Sequence, residues 1–247
     1  MADDLTSTLE RAKAAGVEQM VHIGCSLSSI PRAIGLAEAH SQVFAAVGIH
    51  PHEAITATSE AIETVHRLAQ HDRVVAIGET GLDYYYDRSP RPQQQTALIA
   101  HIEMAQALQK SLVLHIRDAH EDAWKIIDEH ASTLKAGIIH CFTGNLEQAK
   151  AWIQRGFYLS FSGISTFPSA RDVLEAACYC PSERMLIETD APFLAPVPMR
   201  GRKNEPANVA FTCAFLAQAR GQSPESLAEQ TTKNARLVFS LPQPGNK

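Results

Sequence analysis

Seven short apolar runs, centred near residues 20, 45, 76, 113, 138, 159 and 187, recur along this chain, and segments of helical spacing separate most of them. A run with no polar alternation reads as a strand buried on both faces, the mark of a parallel sheet. Parallel neighbours need a crossover, and a regular helix–strand rhythm supplies it with right-handed connections. These features predict an α/β fold of the TIM-type (β/α)8 barrel, filling residues 1–247 as a single domain. A closed barrel takes eight strands. The chain opens instead on a helix, with Leu5, Leu9 and Ala12 on one face and Gly16 as its stop. The expected fold therefore lacks its first strand.

In order, the spacing predicts a strand at 17–25, a helix at 28–40, a strand at 43–48, a helix at 59–70 and a strand ending at Glu79. A polar loop at 83–92 precedes an amphipathic helix carrying Leu98, Ile102, Ala105 and Leu108. A strand to His115, a helix at 119–130 and a strand to His140 follow. Asn145 and Gln148 form a capping-box signature for a helix ending near Gly156. Strands at 157–161 and 185–188 and helices at 207–220 and 224–239 complete the chain.

Four of the apolar runs lead into metal-binding side chains: Glu79, His115, His140 and, through Glu188-Thr189, Asp190. Strand C-termini of a parallel barrel gather at one mouth, where such enzymes keep their chemistry. Two carboxylates and two imidazoles suit a borderline-hard divalent metal with positions left for water. Metal-assisted hydrolysis is the expected reaction class.

The formal net charge of −5 argues against a general nucleic-acid coater. It leaves room for a phosphodiester substrate met by bound cations and a few local Arg or Lys side chains. No apolar stretch approaches the roughly 20 residues of a membrane span, and the acidic start lacks the features of a secretory signal. Five cysteines without framework spacing point to a reduced, cytoplasmic setting. Cys178-Tyr179-Cys180 reads as packing around a short strand or turn. Nothing in the chain points to a membrane or to an obligate protein partner.

Six motifs in chain order resemble the TatD-like metal-dependent deoxyribonucleases, a branch of the amidohydrolase-type barrels. They are Gly48-Ile49-His50-Pro51-His52, Gly78-Glu79-Thr80-Gly81-Leu82-Asp83, His115-Ile116-Arg117-Asp118-Ala119, His140-Cys141-Phe142-Thr143-Gly144, Glu188-Thr189-Asp190-Ala191-Pro192 and Arg202-Lys203-Asn204-Glu205-Pro206. The match runs from the first helix to about Phe239. The resemblance implies a hydrolase acting on DNA ends, often as a 3′ exonuclease, with two divalent ions (Mg, Mn or Zn). Glu79 would bridge the ions, His115 and His140 would complete one site, and Asp190 would bind the other ion and handle the proton of the attacking water. Family members usually open with a strand carrying His-x-His, which has no counterpart before Gly16. With that pair missing, one complete ion site and greatly reduced activity are expected.

Around this set, His50 and His52 either line the pocket mouth and contact the phosphate or serve as plain loop residues. Arg117 either reaches the phosphate or pairs with a local carboxylate. Arg200, Arg202 and Lys203 form a compact basic cluster beside Asp190 that suits a phosphate chain. Asn204 either joins them or caps the following helix. Tyr84, Tyr85 and Tyr86 either stack on unpaired bases or pack their loop, with packing expected for at least two of them. Two other functions stay open: an amidohydrolase acting on a small molecule, since fold does not settle substrate, and an inactive paralogue retained as a binding module.

Overall fold

Helix and strand alternate in the order expected. The computed structural model describes residues 5–243, so the acidic opening at residues 1–4 lies outside it. The elements run α1 (Leu5–Ala14), β1 (Met20–Gly24), α2 (Ile30–Ala39), β2 (Val43–Val47), a 3-10 turn (Pro51–Thr56), α3 (Ser59–Ala69), β3 (Val74–Asp83), α4 (Arg91–Ala107), β4 (Ser111–Arg117), α5 (His120–His130) and β5 (Gly137–Ile139). They continue with α6 (Leu146–Gln154), β6 (Tyr158–Phe161), α7 (Arg171–Tyr179), β7 (Met185–Ile187), α8 (Val209–Ala219) and α9 (Pro224–Phe239). Among the described residues there are seven strands, and strand order follows chain order. No helix among them is long and apolar enough to cross a membrane.

The chain divides into two compact units. One takes Val21–His140 with Val238–Leu241. Its strand β2 is buried at every position, as a strand covered on both faces must be. It pairs parallel to β3, β3 to β4, and β4 to β5. The fully buried side chains Ile49, Ile77, Leu82, Leu98, Ile102, Leu112, Leu114 and Ile138 make its core. His101 of α4 is buried among them with both ring nitrogens in use. Nδ1 donates to the Ala97 carbonyl at 2.7 Å, and Nε2 accepts from the Ile49 amide at 3.0 Å. A core helix thereby holds the residue that precedes His50.

Strand β3 departs from expectation in a way that matters for the site. The sequence reading ends this strand at Glu79 and assigns Asp83 to the loop. In the structure pairing with β4 resumes beyond Glu79, with Thr80 opposite Leu114 and Asp83 opposite Arg117. Between Ile77 and Thr80 the register shifts. A bulge of this kind re-aims a side chain and is common beside active sites. Gly81 sits at φ +139°, where a Cβ would stand 2.0 Å from the His115 carbonyl oxygen. Only glycine permits this approach of β3 to β4.

The other unit takes the remaining residues, including Cys141–Leu237. Here β6 pairs parallel to β7, over a core that includes Trp152, Phe142 and Phe161. The capping box at Asn145 and Gln148 is present. Helix α7 corrects the reading of Cys178-Tyr179-Cys180 as a strand or turn. Val173, Ala176 and Ala177 form one buried helical face, and Cys178 and Tyr179 are the last turn of that helix. Asn204 is buried. Its amide donates to the carbonyls of Thr189 and Phe193, both at 2.7 Å, while its oxygen accepts from the Glu205 amide and Asn208 Nδ2. It braces the loop that follows β7.

Candidate metal centre

The bulge in β3 directs the Glu79 carboxylate toward three imidazoles. Oε1 lies 3.1 Å from His115 Nδ1, 3.4 Å from His50 Nε2 and 3.6 Å from His140 Nε2. His115 lies in the C-terminal half of β4, and His50 and His140 lie just beyond β2 and β5, so parallel register brings together residues far apart in sequence. Side-chain exposure is 13% for Glu79 and 14–21% for the three histidines. Burial alone would push the Glu79 carboxyl up. The charge of His140 and hydrogen bonds from His115 and His50 outweigh it and hold the group well below the usual carboxylate range. A buried carboxylate ringed by imidazoles is a donor set of mixed N and O, which fits a divalent transition metal or zinc.

The members differ in the atoms they present. His50, Glu79 and His115 offer atoms within 4.8 Å of one another. However, His50 Nδ1 accepts a hydrogen bond from the His52 amide at 3.1 Å, capping the 3-10 turn. The neutral ring then carries its proton on Nε2, the atom that faces Glu79, and is a donor there. His115 has the opposite arrangement. Its Nε2 lies 2.9 Å from Asp83 Oδ2, so a proton belongs on that nitrogen, and Nδ1, which hydrogen-bonds Glu79 at 3.1 Å, is the nitrogen that an ion would take in exchange for its proton. An imidazole oriented by a carboxylate through its second nitrogen is the usual support of a metal-bound histidine. On hydrogen-bond grounds Glu79 and His115 could offer atoms to an ion, and His50 is a donor toward Glu79.

The sequence reading gives Asp83 no place at the site, but the structure does. Its side chain is fully buried and accepts from His52 Nε2 and His115 Nε2, both at 2.9 Å. Its other oxygen accepts from the amides of Tyr85 and Tyr86. Burial would raise its carboxyl, but these bonds, His115 first, hold it far below the ordinary value. For His115, burial disfavours the charged form, while Asp83 and Glu79 overcome it and raise the imidazole. His52 moves the other way, lowered first by burial and then by His50 and His115. No local alternation marks it: Thr80 to Asp83 are all buried, and the strand continues there through its pairing with β4.

The tyrosine loop also differs from expectation. Tyr84 packs, with its hydroxyl donating to Asp122 at 2.9 Å and Arg91 lying 4.2 Å over its ring. Tyr85 and Tyr86 remain 58% and 50% exposed, so one of the three packs rather than two. The Arg117 guanidinium lies over both exposed rings, 4.1 and 5.0 Å from their centroids.

Asp190 lies in the other unit, half-buried after β7 at φ +55°. Its carbonyl accepts from the Phe193 amide at 2.8 Å, forming the turn. In the same unit Arg200, Arg202 and Lys203 are exposed, with Arg200 lying 3.9 Å over the Phe167 ring.

A family model described as TatD related DNase matches residues 1–240. A protein named as an uncharacterized metal-dependent hydrolase, YabD of Bacillus subtilis (strain 168), is 40% identical over 238 residues, 96% of this chain and 93% of the relative. The 3'-5' ssDNA/RNA exonuclease TatD of Salmonella typhimurium is 34% identical over 245 residues, 97% of this chain and 94% of the relative. The crystal structure of YJJV, a TatD homologue from Escherichia coli K12, matches with a TM-score of 0.91 at 27% identity, covering 96% of this chain and 92% of that one. The chain has the TIM-type α/β fold of that group.

Proposed function

The chain belongs to the TatD-related DNase family and is a metal-dependent hydrolase acting on ester bonds; from that membership we propose that it cleaves phosphodiester bonds at the 3′ ends of DNA in the cytoplasm, as an enzyme of the two-ion type (Mg, Mn or Zn) with one of its ion sites weakened. The observation that carries the reading is the Glu79 carboxylate with three imidazole nitrogens within 3.6 Å. The similar Salmonella protein, named for exonuclease action on single-stranded DNA and RNA, supports the substrate class.

Glu79, His115 and His140 would hold one ion. Asp190 keeps the role its motif implies, as a ligand and the acceptor of the water proton. Bound divalent ions supply Lewis acidity to the phosphoryl oxygens and make water a stronger nucleophile at neutral pH. The chain's own groups supply the rest. His50 Nε2–H is a hydrogen-bond donor at the site and is suited to a phosphoryl oxygen. Asp83 holds His115 and His52 in fixed orientations. Arg117 adds positive charge for the strand.

The test is metal analysis of the purified protein, paired with hydrolysis of single-stranded DNA in added Mg²⁺ or Mn²⁺. Glu79→Gln should lose both the metal and at least 100-fold in rate, on the order of what removal of one strong electrostatic contributor costs. An unchanged rate in that variant would refute the assignment.

A further inference from the structure

Two large aromatic rings stand in water beside a buried charge cluster, and the fold takes trouble to keep them there. Tyr85 and Tyr86 are the residues after Tyr84 in the loop leaving β3. Both their backbone amides are tied to the buried Asp83 carboxylate, at 3.1 and 2.8 Å, and the Tyr84 amide is tied to the Arg117 carbonyl. The loop is pinned at three consecutive amides, yet two rings are left more than half or half exposed. They meet edge to face, with centroids 4.9 Å apart. Arg117 covers part of both, and the Arg88 guanidinium lies 5.3 Å from Tyr86. On the inner side Tyr86 meets His52 edge-on at 5.4 Å, and His52 meets His50 at 4.4 Å. A planar group resting on Tyr86 is thus separated from the carboxylate–imidazole cluster by the width of one or two side chains.

Exposed single aromatics are ordinary on protein surfaces. The combination here is not. Two rings with fixed backbones, two guanidinium planes and a phosphate-compatible cluster alongside match what an unpaired nucleotide presents: a flat base next to an anionic backbone. Aromatic rings accept any base, because every base has a π-face, and guanidinium planes add both stacking and charge. A base inside a duplex is already stacked and cannot reach such a platform.

We propose that Tyr85, Tyr86 and Arg117 form a base-stacking subsite that takes an unpaired nucleobase of the strand whose backbone enters the metal centre. The proposal rests on the phosphodiesterase reading and names the feature of the substrate that would be gripped. It predicts preference for unpaired ends over blunt duplexes, with little discrimination among bases.

The experiment is a binding titration of the full chain, followed by fluorescence anisotropy. The probes are labelled single-stranded oligo(dT) with phosphorothioate linkages and an abasic strand of the same length and linkage, which carries the same charge without bases. The wild type should bind oligo(dT) about 10- to 100-fold more tightly, the range that base–aromatic stacking shows on truncation. Tyr85→Ala with Tyr86→Ala should bring the two affinities together, while Tyr85→Phe with Tyr86→Phe should keep them apart. Tyr85→Ala alone, at the more exposed ring, repeats the measurement with less disturbance of the loop. The proposal is overturned by a wild type without base preference, by alanine variants that keep it, or by phenylalanine variants that lose it as alanine does. A wild type that prefers bases yet cleaves no strand with ordinary phosphodiester linkages in Mn²⁺ supports the platform and removes the phosphodiesterase reading. A wild type that cleaves ordinary strands with and without bases but binds the two probes equally keeps the hydrolase and removes the platform.

Discussion

Replacing His101 with Gln tests whether a neutral imbedded imidazole holds the end of β2 in place. The ring is completely buried, and burial pushes its pKa from the ordinary 6.5 down to about 4. Below pH 6.5 the unfolded chain therefore binds more protons at this residue than the native state does, so acid favours unfolding. The contribution is whole above pH 6.5, falls through the window between 6.5 and about 4, and is exhausted below it. At about 1.4 kcal/mol for each tenfold change in proton activity, moving from pH 7 to pH 5 costs about 2 kcal/mol. For a chain of this size that corresponds to about 4–8 °C in melting temperature. Glutamine keeps an acceptor for the Ile49 amide but does not titrate in this range. The variant starts from a lower stability, and its loss between pH 7 and pH 5 should be smaller than the wild type's by about 2 kcal/mol. Urea denaturation of both proteins at the two pH values gives this difference directly, because every other titrating group is shared. Equal pH dependence in the two proteins would refute the reasoning.

Two further outcomes follow from contacts in the same unit. Asp83→Asn removes the charge that orients His115, and affinity for the bound metal should fall about 10- to 100-fold, as loss of such an outer carboxylate does elsewhere; chelator competition measures it, and unchanged affinity would show that His115 is held by other means. Gly81→Ala drives a Cβ into the His115 carbonyl at a backbone angle that L-residues avoid, so a loss of several kcal/mol is expected, about 3 or more, with a thermal melt near the wild type's counting against the tight β3–β4 approach.

Much of this molecule is legible before any coordinates. Apolar runs without alternation place the strands, because a strand covered on both faces has no polar side to show. Asn145 and Gln148 announce a helix start, because the local backbone geometry needs only those two side chains. Glu79, His115 and His140 stand out because each ends an apolar run, and a common strand direction carries such ends to one side. Helix α7 is legible too in the helical spacing of Val173, Ala176 and Ala177.

Tertiary structure decided the rest. The continuation of β3 past Glu79 depends on pairing with β4, a long-range contact that no local pattern encodes. That pairing, in turn, turns Asp83 from a loop residue into the buried anchor of His115, His52 and two tyrosine amides. Which nitrogen of His50 carries the proton follows from one hydrogen bond to the His52 amide, and so does its place as a donor toward Glu79. Sequence determines which side chains are able to bind a cation. Only the packed backbone fixes the direction of each lone pair and proton, because hydrogen-bond geometry is set by atoms that meet only when the strands do.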